Sequence, residues 1–240
     1  MIKHIPNFIT SLNLAAGFIA IIFAANGDLV TSSWLILAAM IFDFLDGFSA
    51  RLLKAYSAIG KELDSLADVV SFGVAPGFII YHLLIDSLSL NASMIVNSES
   101  LIAALIPVIP AIMPVCAALR LAIFNLDSTQ ATTFKGLPTP ANGLAVISFV
   151  IAGHYSQSPL ISNLTGSPVM LILFTLVLSL LMVSRIPLLS LKVSNLKLKG
   201  NEGRYILIIS VLISFAIFGI AAVPLIIPLY IIASLISLLL

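Results

Sequence analysis

The sequence predicts an all-α fold: a polytopic integral membrane bundle of about eight transmembrane helices, with both termini cytoplasmic. Three observations predict it. Of the 240 residues, 60% are hydrophobic and 9% are charged, whereas soluble domains carry about 25% charged residues. The apolar residues fall into runs close to the roughly 20 residues that cross the hydrocarbon of a bilayer. With eight spans laid out, all eleven Lys and Arg residues fall on one side, which the positive-inside rule makes cytoplasmic.

In chain order the spans read as 7–26, 30–53, 63–86, 100–124, 139–156, 166–187, 204–220 and 222–239. The first segment has Lys3, an apolar stretch and Ala24-Ala25, as a signal peptide does. Asn7, Thr10, Ser11 and Asn13 interrupt that stretch, so it reads as a retained helix with a polar face. The cations are Lys3, Arg51, Lys54, Lys61, Arg120, Lys135, Arg185, Lys192, Lys197, Lys199 and Arg204, and the opposite loops hold Asp28, Asp86 and Glu99. The 125–142 loop, NLDSTQATTFKGLPTPAN, is rich in polar and turn residues, and Pro138 and Pro140 stiffen its exit. The last two spans are divided by a very short turn and interrupted by Pro224 and Pro228; a single re-entrant hairpin is the alternative there. The chain reads as one membrane domain, 1–240. Cys116 lies in an apolar run and reads as a packing residue. No basic stripe with interleaved aromatics suggests nucleic acid, and His4, His82 and His154 have no partners at zinc-ligand spacing.

Against this background, four aspartates at the edge of apolar segments stand out. Asp43 and Asp46 are three residues apart and share a helix face with Gly47 and Ala50. Asp64 and Asp68 are four apart on the next helix, with Gly60 on the same stripe. An ionisable residue near the bilayer centre costs about 2.5–3.5 kcal/mol even on lenient scales. Four carboxylates also repel one another. Divalent cations offset both costs, and hard oxygen ligands suit Mg²⁺, Mn²⁺ or Ca²⁺; two ions would balance four carboxylates. Pairing with Arg51, Lys54 and Lys61 at a helix end is the structural alternative. An ion-coupled transporter is the functional one, but the acids gather at one membrane edge and none lead across.

Asp43-x-x-Asp46-Gly47-x-x-Ala50-Arg51, eight residues, then Gly60-x-x-x-Asp64-x-x-x-Asp68 resembles the signature of the CDP-alcohol phosphatidyltransferase family, with every fixed position filled. The resemblance implies a family core over about 5–187, with an additional C-terminal helical hairpin at about 204–240. It implies transfer of a phosphatidyl-type group from a CDP-linked lipid to an alcohol, with release of CMP. Two metal ions, Mg²⁺ or Mn²⁺, would be held by Asp43, Asp46, Asp64 and Asp68, with Asp68 also the catalytic base. Asn7, Gly47, Ala50, Arg51 and Gly60 match positions around the nucleotide. Membrane lipids and a second copy in a homodimer are implied as partners.

The flanks point to the acceptor. IPNFITSLNLAAG (5–17), LDSLADVVSFGVAPG (63–77), LRLAIFNLD (119–127) and FKGLPTPANG (134–143) are similar to the branch of the family that joins CDP-diacylglycerol to L-serine. Ile123 departs from the Arg expected in the third of these. Arg120 and Lys135 are the candidates for the carboxylate of serine, since a guanidinium makes paired bonds to it. Glycerol 3-phosphate or inositol phosphate would call for a denser basic cluster than the single Lys135 of the 125–142 loop. Those acceptors are the alternative within the family.

Overall fold

A computed structural model describes residues 4–89, 105–127, 134–156, 158–189 and 200–238. It is an all-α bundle with one two-residue β-ladder. Residues 128–133 of the polar loop, the beginning of the fourth expected span, and Lys3, Lys192, Lys197 and Lys199 lie outside the described residues.

Helix α1 (Ile5–Ala25) starts with Pro6 in its first turn, where a missing N–H costs nothing. Its buried stripe, Pro6, Thr10, Asn13, Gly17, Ala20 and Ala24, is made of small and polar residues. Such residues let helices approach closely in lipid. Against that stripe pack α2 (Leu29–Leu52) and α3 (Ala58–Asp68). Asp28 caps α2 by accepting from the Thr31 amide at 3.0 Å, and Ser57 caps α3 by accepting from the Gly60 amide at 2.9 Å. Between them the chain turns through Lys54, whose φ of 50° ends the α2 register.

Beyond α3 the helix widens into a π-helical turn, Val69–Val74, before α4 (Ala75–Ser87). The cause is Pro76. A regular helix would bond the Phe72 carbonyl to the amide of residue 76, and proline has none. Asn142 supplies the missing donor, its Nδ2 reaching the Phe72 carbonyl at 2.8 Å. The turn also seats Ser71 on α1, where its hydroxyl donates to the Asn13 carbonyl at 3.0 Å. At Gly73 an added Cβ would lie 3.0 Å from Pro114 and Ala117, so this crossing needs a glycine.

A 3₁₀ segment, Ile106–Ala111, leads into α5 (Ile112–Leu126). Then come β1 (Phe134–Lys135), α6 (Thr139–Ser156), α7 (Pro159–Thr165), α8 (Pro168–Val183) and β2 (Pro187–Leu188). Strands β1 and β2 are antiparallel, with Lys135 opposite Pro187. The Gly136 amide donates to the Ile186 carbonyl and the Leu137 amide to the Leu181 carbonyl, each at 2.9 Å. Gly136 has φ of +78°, and a Cβ there would lie 2.5 Å from the Met182 carbonyl; only glycine fits.

The chain ends with α9 (Glu202–Phe218), a 3₁₀ turn (Gly219–Leu225) and α10 (Ile226–Ser237). Gly203 abuts Ser237 and Ala233, so α9 and α10 run antiparallel as a hairpin. Gly219, with φ of +57°, begins the reversal.

Five helical stretches among the described residues are long and apolar enough to cross a membrane: Ile5–Ala25, Leu29–Leu52, Ala58–Ser87, Ile106–Leu126 and Glu202–Ser237. Pro159–Thr165 and Pro168–Val183, bent by 80°, make a sixth if they form one broken span. The stretch expected as the fifth span is helical but carries Thr139, Asn142, Ser148 and His154 and is not among the five. The last two expected spans lie together within Glu202–Ser237. Large apolar side chains such as Phe18, Ile41, Leu180 and Leu212 face outward, as a lipid-solvated surface requires.

Candidate active site

Three carboxylates meet where α2 and α3 pack on α1. Asp43, Asp64 and Asp68 each offer an oxygen, and these atoms all lie within 4.8 Å of one another. Asp68, the last residue of α3, is 6% exposed. Asn13 Nδ2 reaches its Oδ1 at 3.5 Å, and the Thr139 hydroxyl donates to its Oδ2 at 3.2 Å. Thr139 in turn accepts from Arg120 Nη1 at 3.4 Å. The buried Arg120 guanidinium also lies 5.2 Å from the centroid of the Phe124 ring. A line of contacts thus runs from α3 through the start of α6 to α5.

Asp46 does not join this tight group. A step of three residues turns a helix by about 300°, so Asp43 and Asp46 flank their shared stripe and diverge by about 60°. Asp43 faces α3, while Asp46 is buried beside a cavity of about 400 Å³. That cavity is lined by Asp46, Asp64, Asn7, Thr10, Gly47, Ala50, Arg51 and Gly60, among others. All five residues expected around the nucleotide share it with two of the aspartates. At Gly60 a Cβ would come within 2.8 Å of Asn7 Oδ1 and 2.9 Å of Ser57 Oγ. At Gly47 it would meet only Arg51 Nη1, at 3.8 Å. Packing alone therefore does not demand glycine at 47; a side chain there would occupy cavity space.

A second cavity, of about 420 Å³, is lined by Arg120, Ile123, Asp127, Lys135, Ser184 and Arg185 among others. Both acceptor candidates, Arg120 and Lys135, share it. Lys135 Nζ pairs with Asp127 Oδ2 at 2.9 Å. The wall therefore carries three cations and one carboxylate.

The donor set fits a divalent cation. Asp64 Oδ1 and Asp46 Oδ2 are buried and have no hydrogen-bond partner among the described residues. A buried carboxylate oxygen without a donor is costly unless a cation compensates it. Oxygens 2.0–2.6 Å from a common ion stand no more than about 5 Å apart, and the three converging carboxylates meet that limit.

Thr139, Arg185 and Asp127 belong to this arrangement and were given no role from the sequence. Thr139 is the variable position of Gly136-Leu137-Pro138-x-Pro140, and no periodicity marks it. Arg185 reads as one charge of a basic loop. The clamp of Gly136 and Leu137 on the end of α8 helps bring Thr139 and Arg185 to the site.

The model of the CDP-alcohol phosphatidyltransferase family matches residues 3–193. The chain belongs to this family. It is similar to the CDP-diacylglycerol–serine O-phosphatidyltransferase of Bacillus subtilis, 32% identical over 184 residues, which cover 77% of this chain and 89% of that protein. The protein of the same name from Helicobacter pylori strain J99 is 33% identical over 207 residues, 85% of this chain and 78% of that one. The archaetidylserine synthase of Methanothermobacter thermautotrophicus is 32% identical over 155 residues, 64% of this chain and 60% of that protein. The chain is thus an integral membrane enzyme, a CDP-alcohol phosphatidyltransferase, and its aspartate cluster lies inside the matched region. The hairpin of α9 and α10 lies beyond it.

Proposed function

We propose that this phosphatidyltransferase moves the phosphatidyl group of CDP-diacylglycerol to the hydroxyl of L-serine, forming phosphatidylserine and releasing CMP. The observation that carries the proposal is a group of three converging carboxylates of which Asp64 lines the first cavity and Asp68 is linked through Thr139 to Arg120 on the wall of the second. The names borne by the relatives support the choice of serine.

Asp43, Asp46, Asp64 and Asp68 would hold one or two Mg²⁺ or Mn²⁺ ions. A divalent ion bound there neutralises the pyrophosphate and the charge that develops on the leaving nucleotide. On the nucleotide side, Arg51 offers a guanidinium to phosphate oxygens, Asn7 offers an amide, and Gly47, Ala50 and Gly60 keep the wall open. On the acceptor side, Arg120, Lys135 and Arg185 face the serine carboxylate, and Asp127 faces its ammonium. Asp68 takes the hydroxyl proton as the serine oxygen bonds to phosphorus and the bond from phosphorus to the CMP oxygen breaks. Thr139 holds the Asp68 carboxylate toward that proton and ties it to Arg120. The lipid tails remain among the helices. The Lys and Arg residues around both cavities support a site at the cytoplasmic face, and a homodimer forms part of the same reading.

One observation favours a second acceptor class. Arg185 raises the cations on the cavity wall to three, which suits a phosphate-bearing alcohol such as glycerol 3-phosphate or inositol phosphate. Asp127 on the same wall supports the amino acid, because serine alone of these acceptors brings an ammonium that can take the place Lys135 now holds beside it.

The test is product analysis with the purified protein, CDP-diacylglycerol and Mn²⁺ or Mg²⁺. Serine, glycerol 3-phosphate, inositol phosphate and no acceptor are compared, with Asp68→Ala as control. Metal-dependent phosphatidylserine and CMP, both lost in the variant, are expected. A different lipid product overturns the choice of serine. Absence of CMP with every acceptor, from folded protein, overturns the proposed transfer and favours ion-coupled transport.

A further inference from the structure

The C-terminal hairpin lies outside the family match, yet it bonds Leu189, four residues beyond Arg185 on the wall of the second cavity. Tyr230 of α10 is 5% exposed, and a buried phenol must find a hydrogen-bond partner. Its hydroxyl donates to the Leu189 carbonyl at 2.9 Å. One turn on, Ser234 Oγ accepts from the Leu189 amide at 3.1 Å and donates to the Tyr230 carbonyl at 2.7 Å. Residues four apart lie on one helix face. One face of α10 therefore takes both backbone polar groups of Leu189.

Leu189 directly follows β2, whose Pro187 pairs with Lys135. Arg185, two residues before β2, lines the cavity with Arg120 and Lys135. A ladder of two residues cannot hold itself, since even isolated hairpins are marginal. The Leu137–Leu181 bond anchors its β1 side on the end of α8, and α10 anchors the residue that follows β2, Leu189.

We propose that Tyr230 and Ser234 are positioning residues for the acceptor cavity, holding the 185–189 segment so that Arg185 and Lys135 stand at fixed places on its wall. The inference rests on the reading of that cavity as the acceptor site. The hairpin is then a determinant of acceptor affinity, supplied from outside the region that the family model matches.

The experiment uses full-length Tyr230→Phe, Ser234→Ala and the double variant. Tyr230→Phe removes one hydroxyl and keeps the ring, so the helix retains its packing. Each single variant is expected to raise the acceptor KM about three- to tenfold, and the double more, with kcat and the CDP-diacylglycerol KM within about twofold. Amide hydrogen exchange is read in parallel and needs no acceptor. Exchange should quicken at 134–137 and 186–189 and stay unchanged in α2 and α3. Unchanged acceptor KM with unchanged exchange at those segments overturns the inference. So does loosening of all helices together with a lower Tm, which marks a general packing role. The wild-type product tests the serine reading separately, and the KM ratio is taken with whichever acceptor the wild type uses. If no acceptor is used, the exchange pattern alone decides.

Discussion

Replacing Thr139 with Val isolates the bond between α6 and Asp68. The two side chains have nearly the same shape, and Thr139 is fully buried, so the change removes a hydroxyl and little else. A hydrogen bond to a charged group contributes about 1.5–3 kcal/mol. The Thr139–Asp68 distance of 3.2 Å is long for a hydroxyl donor, which places the loss at the lower end, about 1.5 kcal/mol. The Arg120 contact at 3.4 Å is longer than an ordinary N–H···O bond and adds little. At 1.36 kcal/mol per decade, kcat/KM should fall about tenfold. The assay is CMP release at saturating metal, with Thr139→Ser as the rescue. Activity of the Val variant equal to wild type refutes the idea that Thr139 orients Asp68. A Ser variant as impaired as Val refutes it too, because Ser retains the hydroxyl.

Asp43→Asn, Asp64→Asn and Asp68→Asn should each lower kcat by more than about a thousandfold, since several kcal/mol of charge stabilisation are at stake; CMP release with excess Mn²⁺ checks this. Gly60→Ala should raise the CDP-diacylglycerol KM about fivefold, because the new methyl displaces only the ends of the Asn7 and Ser57 side chains, at a cost near the lower limit for overpacking, about 1 kcal/mol; acceptor KM should stay unchanged. Asn142→Ala leaves the Phe72 carbonyl unpaired opposite Pro76 and should cost about 1–3 kcal/mol of stability, read as a lower Tm in detergent.

Much of the site was legible because helical periodicity acts locally. The spacing of Asp43, Asp64 and Asp68 needs only two helices packed against a common third, α1, to bring the three together. The five residues expected at the nucleotide came from the family pattern, and they line one cavity with Asp46 and Asp64. Periodicity contains the divergence of Asp46 from Asp43 by about 60°, but not which of the two turns toward α3; that is set by how the helices pack. Thr139 was hidden for a different reason. It is 71 residues from Asp68, and its position depends on how Gly136 and Leu137 dock on α8. Arg185 was hidden because a basic residue after an apolar run has a sufficient explanation in membrane orientation. The third span was expected from residue 63, yet the helix starts at Ala58; the polar first turn masked it, and the Ser57 cap was the signal available. The π-helical turn follows from Pro76, but its partner Asn142 is set by tertiary packing alone.

The central claim is that the converging carboxylates hold the divalent ion on which transfer from the CDP-linked lipid depends. The most direct measurement is a Mn²⁺ titration of the purified protein, with bound ion read by electron paramagnetic resonance and CMP release followed in the same samples. The account predicts that CMP release rises with bound Mn²⁺, and that Asp43→Asn/Asp64→Asn/Asp68→Asn loses both while remaining folded. CMP release that persists in excess chelator, or Mn²⁺ binding that is unchanged in the triple variant, would contradict it.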